Sequence, residues 1–127
     1  MEMNSDKRIL VVDDEVDVML TLKLCLEENG FIVDAYNNPV SAINNFKAGL
    51  YDLLMIDIKM PDMNGFELYK EIKKKENEVK VCFLTAGDTY YTSYADICNT
   101  LGVECFIQKP IENGDLIRRV KNMLMLT

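Results

Sequence analysis

Near the start of the chain stands the stretch Ile9-Leu10-Val11-Val12-Asp13-Asp14-Glu15, an unbroken apolar run that ends in three acidic residues. Consecutive apolar residues are typical of a strand that is covered on both faces, as in a parallel sheet. Four further apolar runs follow along the chain: Phe31-Ile32-Val33, Leu53-Leu54-Met55-Ile56, Val79–Leu84 and Val103–Ile107. The sequence therefore predicts five strands, most of them buried on both faces.

The segments between the runs have helical spacing. The first and the last of them repeat apolar residues on one face: Val18, Leu22, Cys25 and Leu26, then Leu116, Ile117, Val120, Met123 and Leu124. Pro39 suits the first turn of the second helix, and Asn64 suits the N-cap of the third. Gly30 and Gly102 stand where left-handed caps would end the first and fourth helices. Five strands alternating with five helices predict one (βα)5 domain over residues 1–127, with a doubly wound parallel sheet and right-handed crossovers.

Composition argues against several classes of protein. The chain has 127 residues, which suits one domain whose core needs no disulfide or structural metal. It carries 14 basic and 21 acidic residues and a net charge of −7, so we expect no direct binding to nucleic acid or anionic lipid. Its apolar runs are too short to span a membrane, and the polar start Met1–Lys7 is unlike a secretory signal. We therefore expect a cytoplasmic protein.

The reactive groups available to the chain are limited by its residue types. The sequence has no histidine, which excludes Ser-His and Cys-His nucleophile pairs and His-ligated metals. Its cysteines form no close C-x-x-C pair, and each lies in an apolar stretch that favours a buried thiol: Cys25, Cys82, Cys98 and Cys105. Glycine-rich phosphate loops of the GxGxxG or GxxxxGK[ST] type are also missing from the sequence. Mechanisms that use a lone cysteine or a lysine stay formally open, and carboxylates are the main reactive groups that remain.

Polar residues that could form a site stand at or just after the ends of four of the five predicted strands. They are Asp13-Asp14-Glu15 after the first run, Asp57 after the third, Thr85 after the fourth and Lys109 after the fifth. Ligands bind beyond the carboxyl ends of parallel strands, and clustered carboxylates favour a cation such as Mg²⁺. Each residue also has a simpler interpretation. The acidic run could be a solvated turn that caps a helix, Thr85 could end a strand, and Lys109 could be a surface charge before a turn proline.

Together these motifs resemble the receiver domain of bacterial and archaeal two-component response regulators. The most specific is Asp57-Ile58-Lys59-Met60-Pro61-Asp62-Met63-Asn64-Gly65, which is similar to the family's sequence around its phosphorylated aspartate. Leu84-Thr85-Ala86 and Phe106-Ile107-Gln108-Lys109-Pro110 match two further family motifs. The resemblance covers nearly the whole chain and implies a flavodoxin-like fold with strand order 2-1-3-4-5.

The resemblance also implies a magnesium-dependent phosphoacceptor. Asp57 would accept a phosphoryl group from a histidine kinase or a histidine phosphotransfer protein, since this chain has no histidine of its own. Mg²⁺ would be held by Asp14, Asp57 and the backbone carbonyl of Lys59, with Asp13 acting mostly through bound water.

Further roles follow from the same resemblance. Thr85 and Lys109 would contact phosphoryl oxygens, Phe106 would be the switch aromatic that turns inward, and the Lys109–Pro110 bond would be cis. The chain would be a signalling switch rather than an enzyme, with at most intrinsic autophosphatase activity. It would act on a downstream target protein or an output domain, as a monomer or a phosphorylation-dependent dimer. The segment Gly87–Leu101 is longer than the family pattern at a common dimer face.

Two other functions and one docking surface are compatible with the sequence. A phosphohydrolase with an aspartyl nucleophile would also place an aspartate at a strand end, but the second acid such enzymes need is replaced by Lys59. A receiver-like module that binds partners without phosphorylation would not need the complete set of site residues. Leu20 and Leu24 lie off the core-facing side of the first helix and predict a partner-docking stripe, although single exposed leucines are also common.

Overall fold

The computed structural model describes residues 7–86 and 106–126. These residues form five strands: β1 Arg8–Val12, β2 Ile32–Tyr36, β3 Leu53–Asp57, β4 Lys80–Thr85 and β5 Phe106–Gln108. They also form four helices: α1 Val16–Glu28, α2 Pro39–Asn45, α3 Gly65–Lys75 and α4 Asn113–Met123. Several predictions fall outside the described residues, namely the helix between β4 and β5, its Gly102 cap, the dimer face in Gly87–Leu101, Cys98 and Cys105.

All five strands are parallel and lie in the order β2-β1-β3-β4-β5, which confirms the predicted flavodoxin-like sheet. β1 and β3 are neighbours near its centre, where every residue of β3 is buried, as the unbroken apolar runs indicate. Val12 pairs with Ile56 in their register. The next residue along each chain segment is an aspartate, so Asp13 and Asp57 lie side by side at the same edge of the sheet.

The second strand differs from its prediction. The apolar run predicts Phe31–Val33, whereas β2 spans Ile32–Tyr36 and so continues through Asp34. β2 lies at the edge of the sheet, and its last three residues are only half-buried. An edge strand tolerates polar residues that a central strand would exclude, which is why no apolar run marks its second half.

The core has two layers, one on each face of the sheet, because successive residues of a strand point to opposite sides. Leu10 and Val12 of β1 join the layer under α2 and α3, while Ile9 and Val11 join the layer under α1 and α4. The predicted core residues of α1 are buried except Val18, which is half-buried against the same layer. Cys25 and Cys82 are buried as predicted: Leu22, Cys25 and Leu26 lie in one layer with Cys82.

The predicted helix ends are confirmed where the structure describes them. Gly30 adopts φ 93°, the left-handed conformation expected after α1. Pro39 is the first residue of α2, and Asn64 caps α3 through its side chain. Within residues 7–86 and 106–126, no helix combines the length and apolar character needed to cross a membrane.

Candidate phosphoryl and metal site

The structure brings the predicted site residues together at the carboxyl edge of the sheet. Asp13 directly follows β1, Asp57 ends β3, Thr85 ends β4 and Lys109 directly follows β5. The parallel register places these ends together, since Asp57 pairs with Leu84 and Thr85 pairs with Gln108. The peptide bond between Lys109 and Pro110 is cis, as the resemblance implies.

Three aspartates form one acidic cluster. Asp13 is fully buried, Asp57 is 4% exposed and Asp14 is half-buried. One carboxylate oxygen from each lies within 4.8 Å of the others. Lys109 reaches into the cluster, and its Nζ lies 3.0 Å from Asp13 Oδ2 and 3.5 Å from Asp57 Oδ1. Lys109 therefore contacts two of the three aspartates, Asp13 and Asp57.

Burial and crowding perturb the pKa values of these groups. Desolvation, and then the charge of Asp13, raises the pKa of Asp57 from 3.8 to about 7, although Lys109 opposes the change. Desolvation also raises the pKa of Asp13, opposed by hydrogen bonds from the Glu15 backbone and from Lys109. Burial alone would lower the pKa of Lys109, but its hydrogen bonds to Glu15 and Asp13 outweigh burial, and the net pKa is raised. The site therefore holds more acid than its lysine can neutralise.

This donor set fits a hard divalent cation. Carboxylate oxygens are the ligands that Mg²⁺ prefers, and it keeps several waters when two or three protein oxygens hold it. The raised pKa of Asp57 has a physical meaning here, since Lys109 compensates only part of the cost of the buried carboxylate form. A bound cation would supply further positive charge, so Asp14 and Asp57 can act as ligands, with Asp13 beside them.

An open cleft of ≈ 580 Å³ leads to the cluster. It is lined by Asp14, Glu15, Asp57, Lys59, Met60, Pro61, Ala86 and Lys109. Lys59 lies at this cleft, where the resemblance places a carbonyl ligand, and the small side chain of Ala86 leaves room beside Asp57. The buried aspartate is therefore accessible from outside along one open side.

The loop after β3 is held in place by a close approach that the sequence does not predict. A Cβ added to Gly65 would lie 2.5 Å from the carbonyl oxygen of Asp57 and 2.9 Å from the Cα of Ile58. Both neighbours are backbone atoms, so neither can turn away. The amide of Gly65 donates to the carbonyl of Ile58 at 2.8 Å, which closes the loop. Glycine is therefore required here for space, and it fixes the start of α3 against Asp57.

Glu15 is a second feature that the sequence does not predict. The sequence marks it only as the end of the acidic run, but its Oε1 lies 3.0 Å from Lys109 Nζ. The two residues are separated by 94 positions, and the contact depends on the length of both side chains. The run of three acidic residues after a predicted strand is the one sequence feature that indicates a position for Glu15 near the site.

Thr85 and Phe106 are both buried, on neighbouring strands. The carbonyl of Thr85 accepts a hydrogen bond from the Lys109 amide at 2.7 Å, which ties β4 to the lysine segment. The ring of Phe106 packs inward, 5.5 Å from that of Phe83 and 6.3 Å from that of Phe66. The carbonyl of Phe106 also accepts a hydrogen bond from Arg119 of α4 at 2.8 Å.

The fold and this site define a class of protein. The sequence matches the family described as the response regulator receiver domain over residues 9–121, which is most of the chain. The chain therefore belongs to the receiver-domain family of two-component systems. Members of this family are signalling switches rather than conventional enzymes.

Individual relatives agree with this assignment. The chain is 36% identical over 121 residues to the transcriptional regulatory protein CpxR homolog of Haemophilus influenzae, covering 92% of this chain and 50% of that protein. It is 35% identical over 133 residues to hybrid signal transduction histidine kinase B of Dictyostelium discoideum, covering 94% of this chain and 7% of the kinase. The chain thus spans half or less of these curated relatives.

A solved structure gives the same result. The chain is similar to the response regulator TrrA of Thermotoga maritima, crystallised in complex with Mg²⁺ and a beryllium fluoride, with a TM-score of 0.76 and 37% identity. The similarity covers 92% of this chain and 98% of TrrA.

Proposed function

We propose that the chain is a phosphoacceptor switch in which Asp57 receives a phosphoryl group from a histidine protein. The observation that carries the proposal is the position of Asp57. It is 4% exposed at the end of a central strand, beside two other aspartates and 3.5 Å from a lysine, and it lines an open cleft. This arrangement combines an accessible nucleophile with positive charge on one side of it.

The reaction follows from the charges in the cleft. A carboxylate oxygen of Asp57 forms a bond to phosphorus as the phosphorus–nitrogen bond of the donor phosphohistidine breaks, and the leaving imidazole takes up a proton. Attack by an anion on a dianionic group is slow unless charge is neutralised. Lys109 supplies one positive charge. Mg²⁺, held by Asp14, Asp57 and the backbone carbonyl of Lys59, would supply the rest. The similar protein TrrA was crystallised in complex with Mg²⁺ and a beryllium fluoride, which supports the binding of a metal ion in this cleft.

Intact-mass measurement with phosphoramidate as the donor tests the proposal. The parent protein is expected to gain one phosphoryl group in the presence of Mg²⁺, and to gain none when the metal is chelated. Asp57→Asn removes the nucleophile and should gain none. Asp62→Asn is the matched control, because Asp62 is an exposed aspartate in the same loop that does not line the cleft.

The outcomes separate the three functions that the sequence leaves open. A phosphohydrolase would also hydrolyse a phosphate monoester such as p-nitrophenyl phosphate over many turnovers, and a module that only binds partners would gain no phosphoryl group. A stable adduct on Asp57→Asn in yield equal to the parent would show that another residue is the acceptor.

The switch itself is proposed to use Thr85 and Phe106. The Thr85 hydroxyl would move toward the phosphoryl group, and the Phe106 ring would fill the space that it leaves. Phenylalanine buries no phenolic group when it turns inward, which favours the inward state that Phe106 occupies against Phe83. Ring NMR of Phe106 with and without beryllofluoride tests this. A solvent-mobile ring in the unphosphorylated protein would contradict it.

The histidine partner is proposed to dock on α1. Leu20 and Leu24 are 45% and 60% exposed and lie one turn apart, on the helix that begins at the acidic cluster. Leu20→Glu combined with Leu24→Lys should leave phosphorylation by phosphoramidate unchanged but slow transfer from a histidine phosphotransfer protein that phosphorylates the parent. Val40→Glu is the control, because Val40 is 56% exposed on α2, across the sheet. Equal transfer rates for the double variant and the parent would contradict the assignment.

A further inference from the structure

The ammonium group of Lys109 is shared among three carboxyl groups. Its Nζ lies 3.0 Å from Asp13 Oδ2, 3.0 Å from Glu15 Oε1 and 3.5 Å from Asp57 Oδ1. An ammonium group has three protons and no lone pair, so the two shorter contacts engage two of its donors. The third proton is left for Asp57, whose nearest oxygen lies 3.5 Å away. A phosphoryl oxygen on Asp57 that draws the ammonium group toward itself therefore moves that group away from at least one of the two shorter contacts.

Those two contacts differ in what their loss would cost. Asp13 is fully buried, and its Oδ1 already accepts a hydrogen bond from the Glu15 amide at 2.9 Å. Removing Lys109 from it would leave a buried charge without its partner, which is strongly unfavourable. The side chain of Glu15 is 62% exposed, so water can replace the lysine at little cost. Glu15 is therefore the partner that gives way.

We propose that Glu15 is a positioning residue that holds Lys109 toward the mouth of the cleft and so opposes occupancy of the phosphoryl site. This inference rests on the proposed function of Asp57. Glu15 lines the same cleft as Asp57 and Lys109, so its contact with the lysine lies where an entering group must pass. Occupancy of the site exchanges the contact between Glu15 and Lys109 for a contact between Lys109 and the phosphoryl group.

Beryllofluoride binding in saturating Mg²⁺, followed by ¹⁹F NMR, tests the inference. Glu15→Gln should bind beryllofluoride about 2- to 5-fold more tightly than the parent, the range expected for removing the negative charge from one partly exposed ion pair. Glu15→Asp separates contact from charge. Its carboxylate is one methylene shorter and loses the reach to Lys109, but it keeps a negative charge at the mouth of the cleft. It should therefore resemble Glu15→Gln.

Asp17→Asn is the matched control. Like Glu15→Gln, it removes one negative charge, here from the first turn of α1, but Asp17 does not line the phosphoryl cleft. Its affinity for beryllofluoride should equal that of the parent. A second measurement needs no metal, namely the ¹⁵N–¹H signal of the Lys109 side chain. Glu15→Gln and Glu15→Asp should shift that signal and speed its exchange with water, whereas Asp17→Asn should leave it unchanged.

The results distinguish this inference from the proposed function. If the parent itself binds no beryllofluoride, the proposed function of Asp57 is wrong. If the parent binds but Glu15→Gln binds equally tightly, the role of Glu15 is wrong while the function stands. If Glu15→Gln binds more tightly but Glu15→Asp matches the parent, charge alone is responsible and the positioning role is overturned.

Discussion

The helices α1 and α3 begin at the same edge of the sheet, but they begin in different ways. α3 has a complete capping box, in which Asn64 accepts from the Glu67 amide and Glu67 accepts from the Asn64 amide. It ends in three lysines, which complement the negative end of the helix dipole. The N-cap residue of α1 is Glu15, whose side chain makes no cap hydrogen bond within the described part of the chain. The last turn of α1 contains Glu28 and no basic residue.

The difference shows how the site divides its tasks. The start of α3 uses its polar side chains for the helix itself, and Gly65 fixes that helix against the backbone of Asp57. The acidic residues before α1 are directed to the site instead, where they crowd a buried carboxyl group. The residues at the start of α3 therefore stabilise the helix, whereas those before α1 contribute carboxyl groups to the site. The two helix starts should respond differently to substitution.

The largest effect is expected from pH at the acidic start. Asp57 has a pKa of about 7 when folded and 3.8 when unfolded, so the folded state binds more protons between these values. Stability should therefore fall as pH rises, by about 2–3 kcal/mol between pH 5 and pH 8 in metal-free protein. Urea unfolding at several pH values, in the presence of a metal chelator, measures this change in the free energy of unfolding. Asp57→Asn should lose this dependence of stability on pH, and saturating Mg²⁺ should reduce it in the parent. An unchanged slope in Asp57→Asn would show that the pH dependence comes from a different group.

A smaller effect is expected from crowding the rigid start. Gly65→Ala places a Cβ against the backbone of Asp57 and Ile58, which must shift. We expect a loss of about 2 kcal/mol in the free energy of unfolding, typical of overpacking in a fixed site. Gly114→Ala is the control, since its nearest contact would be a side-chain oxygen of Glu112 at 3.4 Å. Equal stability of the two variants would mean that the loop after β3 is not rigid.

Breaking the cap of α3 should cost less. Asn64→Ala removes the side chain that accepts from the Glu67 amide, with an expected loss of about 1 kcal/mol in urea unfolding. Glu67→Gln should be nearly neutral, because glutamine can also accept from the Asn64 amide. A loss as large for Glu67→Gln as for Asn64→Ala would indicate that charge, rather than the cap, stabilises this end.

The smallest effect is expected at the far end of α1. Glu28→Lys gives this helix the basic last turn that α3 already has, and should raise the free energy of unfolding by about 0.5 kcal/mol at low salt. Glu28→Gln should give roughly half of that gain, and high salt should reduce both. A change that is insensitive to salt would point to a local contact instead of the helix dipole.

The sequence predicts most of this fold because its central strands are buried on both faces. The runs at β1 and β3 have no polar interruption, so their positions follow from composition alone. β2 is predicted less well, since Asp34 lies within it and an edge strand does not require an apolar pattern. Asn64 and Pro39 are predicted correctly, because capping depends on local chemistry.

The sequence predicts which residues form the site but not which of their side chains contact one another. Strand ends collect Asp13, Asp57, Thr85 and Lys109 at one edge for topological reasons. The contact between Glu15 and Lys109 depends on the reach of two flexible side chains, which no spacing encodes. The clearance at Gly65 depends on how closely α3 approaches β3, a distance that only the packed structure defines.

The pairing of Lys109 with Asp13 spans 96 positions of the chain, and it has a consequence for biosynthesis. A ribosome releases the three aspartates long before it adds the lysine that balances them. A nascent chain that lacks β5 thus presents the acidic residues without their cation and without the edge that supports Thr85. Under the proposed function, phosphorylation of Asp57 would therefore require that translation and folding have both passed the last strand.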